Sequence, residues 1–378
     1  MLFFDACLCS KGYSQVIELK IDKKSERGLN ENSISNVKLL PLETNQNSLI
    51  GEISDIQMDG ANIFVLDRKK QVLKRFDKNG RYLNDIGRLG KGPGEFINLF
   101  CFCVLPGKNM IIISDQTGEA LRYYTFEGKH VLDFKMAASA KKIMALDAST
   151  IVCHHGKMSV LKSGEGSFYE VAYYDFKGTP GPQLFPFSQP RYFDLLPGLE
   201  VHPNRKSLLY HKAFDYNIYE LSRSGEIIPL YHFDFKRNNI DTCKFSMAGR
   251  EGLKNRNLFT NEIIGFSEVN MTTTHLLLRV HSQKEATYLV IDRKSNSWMN
   301  YLLDSSGYLG RSGSLPIPAA MGISDVSLFG AIYAVDILSE CKSKTIPKES
   351  LFKDVAYMGN PISLKEDDNP ILMFYRLK

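Results

Sequence analysis

One short turn recurs along this chain at a nearly constant interval. Each copy follows a strand-like stretch and contains a turn glycine, and successive copies lie 48, 50 and 47 residues apart. The glycines are Gly80, Gly128, Gly178 and Gly225. A repeat of this length is typical of a β-propeller, in which each small sheet can bury its two faces only against neighbouring copies.

The residues within one period read as short antiparallel strands. In residues 53–80, "ISDIQMDGANIFVLDRKKQVLKRFDKNG", apolar and polar residues alternate, and Asp-Gly and Asn-Gly pairs separate the runs. This pattern predicts three strands joined by tight turns, and a fourth strand follows the last turn. The same layout returns at 103–134, and parts of it recur in the rest of the chain.

The number of repeats predicts an all-β fold, a six-bladed β-propeller with four-stranded antiparallel blades. The start of the pattern returns at 323–336, but the chain ends before this last blade has an outer strand. The strand-like run at 36–43 precedes the first blade and has no partner there. We therefore predict that this N-terminal strand closes the ring, because closure removes two exposed sheet edges. Residues 31–378 would form one domain, and residues 1–30 an N-terminal tail or signal remnant.

The run at 60–96, "GANIFVLDRKKQVLKRFDKNGRYLNDIGRLGKGPGEF", resembles an NHL-type repeat. It has a first turn, a strand ending in Asp, a strand ending in Phe-Asp, an Asn-Gly turn and a glycine-rich corner ending in Phe. The resemblance is to exported six-bladed propellers of gut bacteria. It implies the fold but no particular activity, because propellers support many functions.

Glycines are also concentrated at 87–96, "GRLGKGPGEF", which we interpret as a corner between two blades. A phosphate-binding P-loop needs Ser or Thr directly after its Lys, followed by a helix. In this chain Gly92 follows Lys91, and the next residues are strand-like. Glycine in a corner permits positive φ and close approach of the backbone between two sheets.

Composition restricts the class of protein further. The chain has 378 residues, 43% hydrophobic and 24% charged, which is sufficient for a buried core. The net charge of +5 is spread along the sequence, so we expect no nucleic-acid partner. The seven cysteines include no C-x-x-C pair, which argues against a disulfide framework or a structural zinc site.

The N-terminus, "MLFFDACLCSKG", is interpreted as the remnant of a lipoprotein signal. It has no early basic residue, and Asp5 interrupts the apolar run, so it departs from a complete secretory signal. We predict a protein of the cell envelope or periplasm that meets the membrane only through an N-terminal lipid anchor. A cytoplasmic location is the alternative. We expect a monomer.

Strand order gives the predicted ring two different faces. One face carries two loops of each blade: the loop from the first strand to the second and the loop from the third strand to the fourth. These loops are short. The other face carries the second-to-third-strand loops and the crossovers between blades. All the long insertions fall on this second face, at 154–168, 187–198, 237–262, 304–322 and 339–369. Because insertions confined to one face of a repeat protein usually mark its binding face, we predict that a ligand binds there.

Polar residues after the second strands, together with the adjacent crossover, form the predicted rim of the central channel. The candidate ligand-binding residues are Asp67, Arg68, Arg88, Asp115, His155, His211, His281 and Asp336. The aspartates, which we align as equivalent, have two interpretations. Each could accept backbone N–H bonds in its own turn, or together they could surround a central ligand.

A metal centre is the weaker hypothesis for this channel. Histidines from different blades could converge on its axis, but the spacing does not show the three or four ligands that zinc requires. Glu52, Asp55 and Asp325 could imitate the calcium ligands of six-bladed lactonases. We predict neither a metal nor a cofactor.

The sequence favours a binding protein over an enzyme. No G-x-S-x-G, H-E-x-x-H or EF-hand motif occurs in it. We predict a non-catalytic propeller of the bacterial envelope that binds a saccharide, a peptide or a protein, and aromatic side chains in the long loops suit such contacts. These aromatic residues are Tyr192, Phe193, Phe245, Phe259 and Tyr308. The alternative is a metal-assisted hydrolase or lyase with its site at the mouth of the channel.

Overall fold

The structure, a computed structural model, consists almost entirely of short antiparallel sheets arranged as six blades in a ring. The residues that it describes are 16–22, 25–26, 28–30, 32–136, 139–155, 168–187, 198–202, 206–239, 262–282, 286–304, 307–312, 315–324, 327–340, 356–357 and 364–378. None of the helices in these ranges has the length and apolar character needed to span a membrane. The predicted fold class, a six-bladed propeller of four-stranded blades, is confirmed.

Three strands precede the first blade, and the next twelve form blades 1 to 3 in order. The preceding strands are β1 (Ile17–Lys20), β2 (Ser25–Glu26) and β3 (Ile34–Pro41). Blade 1 contains β4 (Asp55–Asp59), β5 (Asn62–Asp67), β6 (Val72–Asp77) and β7 (Tyr82–Asp85). Blade 2 contains β8 (Leu99–Leu105), β9 (Met110–Asp115), β10 (Ala120–Thr125) and β11 (His130–Lys135). Blade 3 contains β12 (Lys142–Ala145), β13 (Thr150–His154), β14 (Phe168–Asp175) and β15 (Pro180–Phe187).

The second half of the ring contains the insertions and the closing blade. Blade 4 contains β16 (Gly198–Val201), β17 (Leu208–His211), β18 (Asn217–Leu221) and β19 (Ile227–Asp234), and a 3₁₀ turn follows at Lys236–Asn238. Blade 5 contains β20 (Ile263–Met271), β21 (His275–Ser282), β22 (Ala286–Asp292) and β23 (Trp298–Leu302). A hairpin of β24 (Gly310–Ser312) and β25 (Leu315–Ile317) precedes blade 6. Blade 6 contains β26 (Gly322–Ser324), β27 (Ser327–Ile332), β29 (Ile371–Leu377) and β3, with α1 (Ala334–Glu340) after β27 and β28 (Ala356–Tyr357) beside β3.

The core lies between the blades, because both faces of each sheet are covered by neighbours. In β5, Phe64 and Leu66 belong to one apolar cluster with Phe102 of blade 2. Val65, between them, belongs to a different cluster with Phe329 of blade 6. Because side chains alternate across a strand, a continuous apolar run such as this is expected wherever a sheet is buried on both sides.

The N-terminal strand closes the ring as predicted. Strand β3 pairs antiparallel with β29, the last strand of the chain, with Leu39 opposite Met373. It thereby becomes the outer strand of blade 6. Pairing the two ends of the chain leaves no gap between the first and last blades.

The repeated turn glycines owe their positions to two constraints. All four have φ between 78° and 83°, which only glycine adopts without strain. A side chain would also collide with the outer strand of the preceding blade. A Cβ on Gly80 would lie 2.1 Å from the carbonyl oxygen of Pro41, and one on Gly128 would lie 2.5 Å from that of Asp85. The repeat spacing thus marks where each blade contacts the one before it.

Part of the predicted N-terminal tail belongs to the propeller. Strand β1 pairs in parallel with β19, and β2 pairs in parallel with β23, so both lie at the outer edges of blades 4 and 5. Leu19 and Ile21 are each 5% exposed and pack in the cluster that contains Phe233. Both strands lie within residues 1–30, which the sequence predicts as a tail.

The glycine-rich segment at 87–96 is the corner that we predicted. It connects β7 to β8, and no helix follows it. The carboxylate of Glu95 accepts a hydrogen bond from the N–H of Gly92 at 2.7 Å, and Phe96 is buried. Gly87 and Gly94 have φ of 64° and 70°. Glu95 therefore stabilises the corner by binding the backbone of the same segment.

Candidate functional site

A cavity of about 780 Å³ occupies the centre of the ring and opens on the face that carries the crossovers. We call it the upper cavity, and that face the crossover face. All six blades contribute to its wall, mainly through their first strands, the ends of some second strands and the adjoining crossovers. The lining residues include Ile53, Asp55, Leu66, Arg68, Phe100, Gln116, Lys141, Lys142, Glu200, Ser267, Glu268, Asn270, Tyr308, Ala319, Met321 and Tyr333.

A belt of polar side chains crosses the channel below the upper cavity. Asp55, Lys142, Glu200 and Asn270 line both the upper cavity and a smaller one of about 160 Å³ beneath it. We call these four residues the polar floor. They come from blades 1, 3, 4 and 5, so the floor brings together side chains that are far apart in the sequence.

The charges of the floor compensate one another only in part, because one lysine faces two carboxylates. The Lys142 ammonium forms an ion pair with Glu200. Burial alone would lower the pKa of Lys142, but the carboxylates of Glu200 and Asp55 raise it. Burial raises the pKa of Asp55, and Lys142 partly opposes that shift. The pKa of Glu200 is raised for the same reason and is likewise opposed by Lys142. One lysine therefore serves two desolvated carboxylates.

A second charged group lies on the blade 5 side of the cavity. Glu268 accepts a hydrogen bond from Arg279 at 3.0 Å and another from the hydroxyl of Tyr288. It has a φ of 50° in an irregular part of β20, where the pairing with β21 shifts register. Glu268 thus has partners within its own blade.

The mouth of the cavity differs from its floor because it presents hydrogen-bond donors. The guanidinium of Arg68 lies 4.8 Å from the ring centre of Phe100, a cation–π contact. Among the described residues Arg68 has no ion pair. On the neighbouring blade, the hydroxyl of Tyr333 accepts the N–H of Ile53 at 3.1 Å, so its own O–H proton is left to donate.

The two aspartates of blades 1 and 2 accept hydrogen bonds from backbone N–H groups. Asp67 accepts the N–H groups of Gly51 at 2.7 Å and Glu52 at 3.1 Å. Asp115 accepts the N–H groups of Ile97 at 3.1 Å and Asn98 at 2.9 Å. Both carboxylates are buried. Each therefore ties the incoming crossover to the end of the second strand, which is close to the first of the two interpretations given above.

Histidines take the corresponding position in blades 3 to 5. His154 lies opposite Lys142, His211 opposite Gly198, and His281 opposite Gly265. His211 is fully buried, and neither ring nitrogen has a hydrogen-bond partner among the described residues. A Cβ at Gly198 would lie 2.0 Å from its Nε2, so the ring covers that glycine.

His281 is the histidine that touches the cavity wall. Its Nε2 lies 2.6 Å from the hydroxyl oxygen of Ser267, which lines the upper cavity. Burial lowers the pKa of His281 to about 4, with a smaller contribution from Arg279. The imidazole is therefore a weak base at neutral pH.

The other candidate residues surround the cavity without lining it. Arg88 has an 80% exposed side chain and pairs with Glu95 in the corner. His155 is buried, and its Nε2 lies 3.2 Å from the hydroxyl of Tyr174. Asp336 accepts a hydrogen bond of 2.5 Å from Tyr308, which does line the cavity.

The alignment of Asp336 with Asp67 and Asp115 is wrong. Strand β27 ends at Ile332, and the chain then enters α1, which contains Asp336. Its carboxylate therefore lies on a helix rather than at a strand end.

Several sequence predictions lie outside the described residues. They include most of the insertions, Asp325, and the loop aromatics Tyr192, Phe193, Phe245 and Phe259. The strands that flank these insertions end at the crossover face. Tyr308 is described and lines the upper cavity.

Of the eight candidate residues, Arg68 alone is among those that line the upper cavity in the described structure. The residues that sequence reasoning missed lie on first strands: Lys142, Glu200 and Glu268. The sequence signal that could have found them is an ionisable residue that lies within a predicted strand between apolar residues. Among the described residues, no group of three or more His, Cys, Asp or Glu side chains is arranged to hold a metal ion.

The fold and the cavity together define a six-bladed β-propeller with a polar central site. A profile of the DUF4934 family, a domain of unknown function, matches residues 14–376, so the chain belongs to that family. The family found is DUF4934 rather than an NHL family, and the NHL resemblance stays a prediction. No curated protein matches the chain.

Two solved structures share the fold. One is a protein of Bacteroides fragilis thought to be exported, with a TM-score of 0.74, 19% identity, and coverage of 96% of this chain and 99% of that chain. The other is a DUF4221 family member from Bacteroides vulgatus, with a TM-score of 0.52, 9% identity, and coverage of 92% and 99%. At these identities the likeness shows the fold alone.

Proposed function

We propose that this chain is a non-catalytic binding protein of the bacterial cell envelope, and that its ligand occupies the upper cavity. The supporting observation is the cavity itself, at about 780 Å³. This volume lies within the range of about 300–1,000 Å³ that is usual for small-molecule sites. It suits a short saccharide or a short peptide, and a larger partner could insert such a segment.

The shape of the site supports a small ligand with both polar and apolar parts. Ile53, Leu66, Ala319 and Met321 supply apolar wall, while Arg68 supplies a polar group at the mouth. Binding sites commonly combine a mainly apolar lining with a few polar groups that fix orientation.

Binding is favoured over hydrolysis by the state of the hydroxyl–imidazole pair that the described residues place at the cavity. Ser267 and His281 are hydrogen-bonded, but the pKa of His281 is lowered to about 4. A general base works best with a pKa near the working pH. We therefore propose no catalytic role for this pair.

An envelope location is supported by the lipoprotein-like N-terminus and by the Bacteroides fragilis protein thought to be exported. Fractionation of the native host, with the protein followed by an antibody, would test it. Recovery in the cytoplasmic fraction would contradict it.

A cavity-filling substitution tests the binding site. Ala319 lines the upper cavity, so Ala319→Trp should block it. The matched control is Ala61→Trp, an exposed position in the turn between β4 and β5 on the opposite face. Glycan and peptide arrays, followed by calorimetry on any hit, should show binding to the wild type and to Ala61→Trp but not to Ala319→Trp. Equal binding by all three proteins would overturn the proposal.

A further inference from the structure

The mouth of the upper cavity contains a cation, Arg68, that forms no ion pair in the described part of the chain, although its charge also acts on the buried carboxylate of Asp55. Arg68 is exposed and lines the cavity, yet its guanidinium forms no ion pair there. Other arginines in the same ring behave differently: Arg122 pairs with Asp115 at 2.9 Å, and Arg279 pairs with Glu268 at 3.0 Å. Arg68 therefore differs from these two arginines, whose charges are paired within their own blades.

The guanidinium is also held in place. It lies over the ring of Phe100 at 4.8 Å, and the backbone from which the side chain extends is fixed because the main-chain N–H of Arg68 donates to the hydroxyl of Ser54 at 3.2 Å. Stacking on an aromatic ring restrains the plane of a guanidinium while leaving its N–H groups free at the edge. A restrained side chain loses less entropy on binding a ligand.

A second donor faces the same space from the adjacent blade. The Tyr333 hydroxyl accepts the N–H of Ile53, so its O–H proton is left to donate to a group in the cavity. Arg68 and Tyr333 thus present donors at the mouth. The carboxylates of Asp55, Glu200 and Glu268 lie toward the floor and the blade 5 wall.

We propose that Arg68 anchors a carboxylate group of the ligand at the mouth of the upper cavity, with Tyr333 as a second donor. This inference rests on the proposed function, because it requires a ligand in that cavity. A planar carboxylate matches the paired N–H groups of a guanidinium, whereas a neutral hydroxyl uses only one of them. The acidic floor repels a second negative group, so the ligand presents its carboxylate outward and a neutral or cationic part inward.

Two sources of carboxylate fit this site, namely the C-terminus of a short peptide and a uronic acid unit of a saccharide. The probes are therefore two matched pairs. One pair is a tripeptide library with free C-termini and the same library amidated. The other is a trimer of galacturonic acid and a trimer of galactose.

The test measures the affinity of all four probes for the wild type and three variants. Arg68→Ala removes the anchor, and Arg68→Lys keeps the charge without the paired N–H geometry. Arg88→Ala is the matched control, because Arg88 is an exposed arginine on the same face that pairs with Glu95 and does not line the cavity. Melting curves establish that each variant is folded.

We expect one carboxylate probe to bind the wild type about 10- to 100-fold more tightly than its neutral counterpart, which is the usual worth of a charged hydrogen-bonded contact. Arg68→Ala should abolish this preference, Arg68→Lys should retain part of it, and Arg88→Ala should retain all of it. The pair that shows the effect identifies the source of the carboxylate.

Three results would overturn the inference: equal affinity for the acidic and neutral probes, a preference that survives in Arg68→Ala, or no binding by either acidic probe. The first two leave the proposed function intact if binding still disappears in Ala319→Trp. Binding that persists in Ala319→Trp contradicts the proposed function instead.

Discussion

Asp115 shows how one side chain can fix the entry of the chain into a blade. Its carboxylate accepts the N–H groups of Ile97, Asn98 and Gly118 and pairs with Arg122 at 2.9 Å. The side chain is fully buried. A carboxylate that accepts this many hydrogen bonds stabilises the fold. Its loss leaves buried donors without an acceptor.

We predict that Asp115→Ala lowers the free energy of unfolding by about 3–5 kcal/mol, as is usual when one partner of a buried ion pair is removed. Asp133, the other partner of Arg122, is 35% exposed and provides the control. Asp133→Ala should cost less than about 1 kcal/mol. Urea denaturation measures both. Similar losses for the two variants would contradict the role given to Asp115.

His211 predicts how stability depends on pH. Burial, reinforced by Lys142, lowers its pKa from 6.5 to about 3. Between these values the unfolded chain binds a proton that the folded protein does not, so this histidine makes the free energy of unfolding fall as the pH is lowered. The expected slope is about 1.4 kcal/mol per pH unit below 6.5.

Comparison of the wild type with His211→Phe isolates this contribution. On lowering the pH from 7 to 5, the wild type should lose about 2 kcal/mol more than the variant. Urea denaturation at both pH values supplies the measurement. A variant that keeps the pH dependence of the wild type would show that His211 is not buried as a neutral ring.

At the scale of elements, the N-terminal strands extend the propeller beyond its repeats. Strand β1 covers the edge of β19, and Leu19 packs with Phe233 and Phe266 beneath it. Covering an edge strand in this way satisfies backbone groups that would otherwise be exposed. The stability of blade 4 therefore depends on residues outside its own repeat.

We predict that Leu19→Ala lowers the free energy of unfolding by about 2–3 kcal/mol, since it removes a buried leucine side chain. Glu18→Ala, an exposed neighbour on the same strand, should have little effect. Thermal denaturation of both variants checks this. An unchanged melting temperature for Leu19→Ala would mean that β1 is not packed on the propeller in solution.

The elements also show why the fold could be predicted when the site could not. Turn glycines such as Gly80 mark the repeat in the sequence, because their positive φ and their contact with the preceding blade exclude other residues. Alternation predicted the strands and the closing role of β3. The polar floor has no such local signal, because Asp55, Lys142 and Glu200 come together only after the ring closes.

The position of most candidate residues away from the upper cavity has the same cause. Most of these candidates directly follow second strands, and at such positions Asp67 and Asp115 bind backbone. The channel is lined mainly by first strands. In the sequence, the ionisable residues of these strands look like the polar positions of an ordinary alternating strand. Arg68 directly follows a second strand and is the candidate residue that lines the upper cavity in the described structure.

At the scale of the whole molecule, the two faces of the ring differ in structure. The turns between the first and second strands are short, as at 60–61 and 106–109, and lie away from the upper cavity. The crossover face combines the cavity mouth with the ends of strands that flank the long insertions. A ligand bound as proposed should therefore affect one end of the channel.

Hydrogen–deuterium exchange, with and without the carboxylate probe that binds, tests this account most directly. The account predicts slower exchange at 53–55, 141–142 and 267–270, where first strands line the upper cavity, and unchanged exchange at 60–61 and 106–109. Protection that appears instead at those turns or along the outer strands would contradict it.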